Sequence, residues 1–91
     1  MAKFTPTPVA AGTASAWQWL GGRVFLHSYG SGSVRVETST DLGEADDTKT
    51  NISNEGTVTV GEVQPCVFPI TGCWARVFCV SGSNVSVGWS A

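Results

Sequence analysis

The stretch CWARVFCVSGSNVSVGWSA, residues 73–91, decides how the rest of the chain is read. In residues 74–80 apolar side chains fall on both faces, with Arg76 the exception, as expected of a strand covered on both sides. Ser81-Gly82-Ser83 is a turn signal. After it Val85, Val87 and Trp89 share one face, and Asn84, Ser86, Gly88 and Ser90 the other. The stretch therefore reads mostly as core. Arg76 requires either an acidic partner or an exposed sheet face, because a buried lone charge is costly.

Working back toward the N-terminus, the same signature recurs. TVTV (57–60) alternates with Val58 and Val60 on one side, and SVRVET (33–38) alternates with Val34 and Val36 opposed to Arg35 and Glu37. Trp17-Gln18-Trp19-Leu20 leads through Gly21-Gly22 into RVFLHSY (23–29), which ends in the Gly/Ser turn at 30–33. Residues 61–72 carry Pro65 and Pro69, which restrict that stretch to an edge strand or a loop. Residues 39–56 form the longest polar stretch, with a short strand expected around 49–53. The pattern predicts about six to eight short strands and no helix. The fold class that follows is all-β, a small antiparallel β-sandwich.

Residues 1–16, rich in Ala, Thr and Pro, read as an extended or flexible N-terminal arm, with the sandwich domain over 17–91. In this reading Phe4, Pro6, Pro8, Val9, Trp17 and Trp19 are the candidate partner-binding residues. Deleting residues 2–14 is then expected to leave the fold intact and to weaken docking.

Composition narrows the function classes. A chain of 91 residues folds as one domain and buries roughly 60–65% of its surface, enough for a core but not for a core and a deep cleft. The net charge is −2 and the basic residues Lys3, Arg23, Arg35, Lys49 and Arg76 are scattered, which argues against nucleic acid as a partner. No apolar run is long enough to cross a membrane as a helix. Without a secretory signal, and with an odd cysteine count, the chain is expected to be made in a reducing cytosol.

No catalytic constellation stands out, and the chain is expected not to be an enzyme. The spacing C-x6-C-x5-C of Cys66, Cys73 and Cys79, with His27 as the one histidine, lacks the close cysteine pair of a zinc site. A pairing of Cys66 with Cys73 stays open. Glu44, Asp46 and Asp47 lack calcium-loop spacing and read as a solvated loop. His27 reads as a structural strand histidine, since no nucleophile elbow accompanies it. Neither metal nor cofactor is expected. Trp17, Trp19 and Tyr29 could stack on sugar rings, but core or subunit interface is the plainer reading.

One combination of motifs resembles a known family. The alternating strand and Ser-x-Asp-x-Gly turn of SVRVETSTDLGE (33–44), followed by WARVFCVSGSNVSVGW (74–89), is similar to a pattern in small jelly-roll or discoidin-like β-sandwich domains of bacteriophage virion proteins. On that likeness Asp41 and Gly43 make the turn, Trp74 and Arg76 take the aromatic and arginine positions, and Val85 and Val87 the closing strand. The acidic EADD stands where the family often has an aromatic. The resemblance implies a jelly-roll-like sandwich and a virion structural role, as a capsid decoration (cement) protein. It would be made in the host cytoplasm and partnered by the major capsid protein or other virion proteins. A homo-oligomer is expected, with a trimer suited to threefold sites. Alternatives are a carbohydrate-binding module displayed on a particle and a small tail or head-fibre component.

Overall fold

The structure is a computed structural model that describes residues 6–41 and 49–90. Every described element is a strand: β1 (Thr7–Pro8), β2 (Gln18–Ser39), β3 (Ile52–Thr59) and β4 (Gln64–Ser90). They form one antiparallel sheet in the order β1-β4-β2-β3, with β1 and β3 at its two open ends. The all-β antiparallel class matches expectation, but the strand count does not. Gly21-Gly22, the 30–33 segment and the 81–83 segment read as turns, yet they are irregularities inside two long strands.

These irregularities let β2 and β4 pair twice. From Phe25 to Ser39, β2 runs against β4 from Ser90 back to Trp74. The first part of β2, from Gln18 to Leu26, also pairs with the beginning of β4, from Ala75 back to Gln64. Leu26 therefore has Gln64 on one side and Trp89 on the other, and Ala75 lies between Gln18 and Thr38. The two long strands fold back over each other, and both residues are fully buried.

The bend sits where Gly32 faces Gly82. Both have positive φ, +128° and +131°. A Cβ on Gly32 would overlap the Ser81 carbonyl oxygen, and one on Gly82 the Ser31 carbonyl oxygen. Only glycine permits both the torsion and the approach.

The core follows the alternation. Val34 and Val36 of β2 pack with Ala75, Val77, Cys79, Val85 and Val87 of β4, and Trp89 meets Phe68 edge-on at 5.7 Å between ring centres. Val9 belongs to this core as well. Residues 7–15 line the outer side of β4: Thr7 and Pro8 pair with Val87 and Ser86, Val9 N donates to Val85 O, Gly12 N to Cys79 O, and Cys79 N to Thr13 O. The described part of the N-terminal arm is thus bonded to the chain's own sheet.

Candidate functional site

The face of β4 opposite the core carries Trp74, Arg76 and Phe78, paired with Ser39, Glu37 and Arg35 of β2. Alternation assigns Glu37 to solvent, but it is 5% exposed. Arg76 Nε donates to Glu37 Oε1 at 2.7 Å, and Arg35 Nε donates to Oε2 at 2.8 Å. Each guanidinium also lies over a ring, Arg35 on Phe78 at 4.2 Å and Arg76 on Trp17 at 4.4 Å. Lys49 Nζ covers Trp74 at 4.6 Å, and Trp19 meets Trp74 edge-on. Arg76 therefore has the acidic partner that its position requires. The second cover over this strand is a layer of cations and rings rather than aliphatic side chains.

Burial pushes the Glu37 carboxyl up, but the hydrogen bonds and charges of Arg76 and Arg35 outweigh it and hold the group below the usual glutamate range. Asp41 is likewise held low, by the backbone N–H groups of Asn51 and Thr50 and by the Thr50 hydroxyl, which all donate to Oδ2. It ties the two ends of the polar segment together. Gly43, Glu44, Asp46 and Asp47 lie outside the described residues.

Three of the most exposed large apolar side chains lie near this face. Ile70 is 96% exposed, Val67 78% and Trp19 55%. The Trp19 ring lies against Gly72, where an added Cβ would overlap its Nε1, so Trp19 adjoins the irregular segment 69–72 that carries Ile70. Large apolar side chains exposed close together along one segment are candidates for an interaction surface.

The six candidate binding residues are dispersed by the fold. Phe4 lies outside the described residues. Val9 and Trp17 are buried, Val9 in the core and Trp17 under Arg76, so their contacts are intramolecular. Pro6 is half-buried, and Pro8 is exposed in β1. Trp19 is on the exposed strip. Trp17, Trp19 and Tyr29 do not form one stacking platform, because Trp17 is covered. Sequence reasoning missed Val67 and Ile70. The available signal was the apolar VFPI set between prolines, a place where a fully paired ladder cannot continue.

A cleft of about 640 Å³ opens between β3 and residues 64–69, floored by Val36, Val58, Cys66, Phe68 and Cys73. All three cysteines are free thiols. Burial pushes the Cys66 and Cys73 thiols up, with Glu55 adding to the effect on Cys73, so neither is a ready nucleophile at neutral pH. No group of three His, Cys, Asp or Glu side chains gathers as a metal cage among the described residues. His27 Nε2 lies 2.7 Å from Ser90 Oγ, but Ser90 is buried and neither residue borders the cleft. The pair joins β2 to the end of β4. No protein-family model, curated protein or solved structure matches the chain.

Proposed function

We propose that this chain is a non-enzymatic bacteriophage virion structural protein of the capsid-decoration kind, docking on the particle through its exposed apolar strip. The observation that carries the reading is the strip of Trp19, Val67 and Ile70 on a small domain whose core is already filled. Burying side chains of this size is worth about 1.5–3 kcal/mol each, and repetition over a symmetric particle multiplies weak contacts. The resemblance at 33–44 and 74–89 supports the same role and a jelly-roll-like sandwich. The double pairing of Leu26 and Ala75, which folds one sheet over itself, favours that finer architecture. The major capsid protein is the partner, and a trimer suits a threefold site.

The test is quantitative peptide counting in purified virus particles from the source of this chain. A copy number matching the capsid subunits, or their trimers, supports the role. Absence from particles overturns it. Within that system Ile70→Asp and Trp19→Ala should strip the chain from particles while its folding remains intact.

A further inference from the structure

Strands β3 and 64–69 follow one another through a short turn, closed by Glu62 N donating to Thr59 O. Consecutive antiparallel strands usually zip together. Here β3 pairs with Ser33 to Ser39 of β2, while 64–68 pairs with Gly22 to Leu26. The hairpin is split, and the cleft fills the split.

The two edges facing the cleft differ. Pro65 and Pro69 lack an N–H, and a proline fits a ladder only where its nitrogen faces away from the neighbour strand. The cleft side of 64–69 is therefore poor in donors. On the β3 side, Val60 N donates to Gly32 O. The constant register from Ser33–Thr59 to Val34–Val58 and Arg35–Thr57 then makes Val34–Val58 a bonded pair and Arg35–Thr57 a non-bonded one, while the Gly56 N–H donates to Asn54 Oδ1. Thr57 therefore turns its N–H and C=O away from β2. Nothing within 4 Å would meet a Cβ on the neighbouring Gly56, so the space over the strand is uncovered there. The charge is one-sided too. Glu55 and Glu62 both line the cleft, and neither forms a salt bridge among the described residues.

From this geometry we infer that the β3 edge at Thr57 receives an extended segment of another polypeptide that carries lysine or arginine. The segment adds a strand to β3. Its backbone pairs with Thr57, its apolar residues face the floor at Val36 and Phe68, and its cations meet Glu55 and Glu62. Val67 borders both this cleft and the exposed strip, but the residues that carry this inference, Glu55, Thr57 and Glu62, belong to β3 and the turn after it, so it is tested independently of the particle role.

The probe is a capped, fluorescently labelled peptide KVRVKT, titrated into the full chain at low salt. Three comparisons accompany it: an EVEVET peptide, KVRVKT with alternate backbone nitrogens methylated, and the chain variants Thr57→Pro and Glu55→Gln/Glu62→Gln. Binding of KVRVKT alone among the peptides is expected, with slowed exchange of the Thr57 amide. The double glutamine variant should weaken it about five- to tenfold. Thr57→Pro should abolish it while the spectra of the fold stay unchanged, because that N–H serves no ladder within the chain. Equal binding of the methylated or acidic peptide, undiminished binding to either variant, or no binding at millimolar peptide would overturn the proposal. So would a concentration-dependent dimer that Thr57→Pro dissolves, which would assign the edge to a second copy.

Discussion

Glu37 is buried between two guanidinium groups on a sheet face that its neighbours in sequence assign to water. Its carboxyl is held below its unfolded value, so its contribution to stability is fully present above the ordinary glutamate pKa and is lost as pH falls through the folded one. Wild-type stability should therefore begin to decline as pH falls below about 5 and go on declining through the lowered folded value. Glu37→Gln removes the charge but keeps the shape, leaving Arg35 and Arg76 unmatched. A cost of about 1–3 kcal/mol at pH 7 is expected, smaller than for a fully buried pair because both arginines reach solvent. Urea titrations of both proteins at pH 7 and pH 3 check this. The gap between them should narrow at pH 3, and a pH-independent gap would assign the loss to packing. Local alternation could not reveal this pair, because Arg76 reaches Glu37 only through pairing of β2 with β4.

At the level of elements, the crossing of β2 and β4 depends on two glycines that face each other. Ala at Gly32 or Gly82 meets a backbone carbonyl as well as an unfavourable torsion. Gly22 has positive φ, +70°, but open space where a Cβ would sit. Gly22→Ala should cost about 1–2 kcal/mol, the torsional penalty alone. Gly32→Ala should cost more than about 3 kcal/mol, since the strands must part to admit the methyl. Thermal unfolding of the two variants separates these cases; equal losses would remove the crossing from its central place in the fold. The same glycines explain what the sequence disclosed and what it concealed. Alternation at Val34/Val36 and Val85/Val87 identified the core faces correctly, because burial of a strand face is a local, period-two property. Gly/Ser clusters look alike whether a chain reverses there or merely bends against a matching cluster elsewhere. So 30–33 and 81–83 read as turns, and two long strands were divided into several. The apolar strip was obscured in a different way: the prolines assign 61–72 to an edge strand or a loop, but not which of Val67, Phe68 and Ile70 turn outward.

Over the whole molecule, the N-terminal segment runs along the C-terminal half of β4. Residues 7–13 reach from Val87 to Cys79, and Val9 inserts into the core between them. Composition alone made this segment a detachable arm, since proline and small residues carry little burial of their own. Pairing with the free side of β4 supplies what composition does not. A variant lacking residues 2–14 loses the Val9 side chain from the core and three backbone hydrogen bonds to Val85 and Cys79. The expected cost is about 3–7 kcal/mol, a large share of the total stability of a domain this small. Val9→Ala, which keeps every backbone bond, should cost about 1–2 kcal/mol. Denaturant unfolding read alongside amide exchange at Cys79 separates the two contributions: the point variant should lower the midpoint with Cys79 still protected, and the deletion should expose it. If the deletion leaves both midpoint and protection unchanged, residues 7–13 do not hold the sheet together, and the segment is free to dock elsewhere.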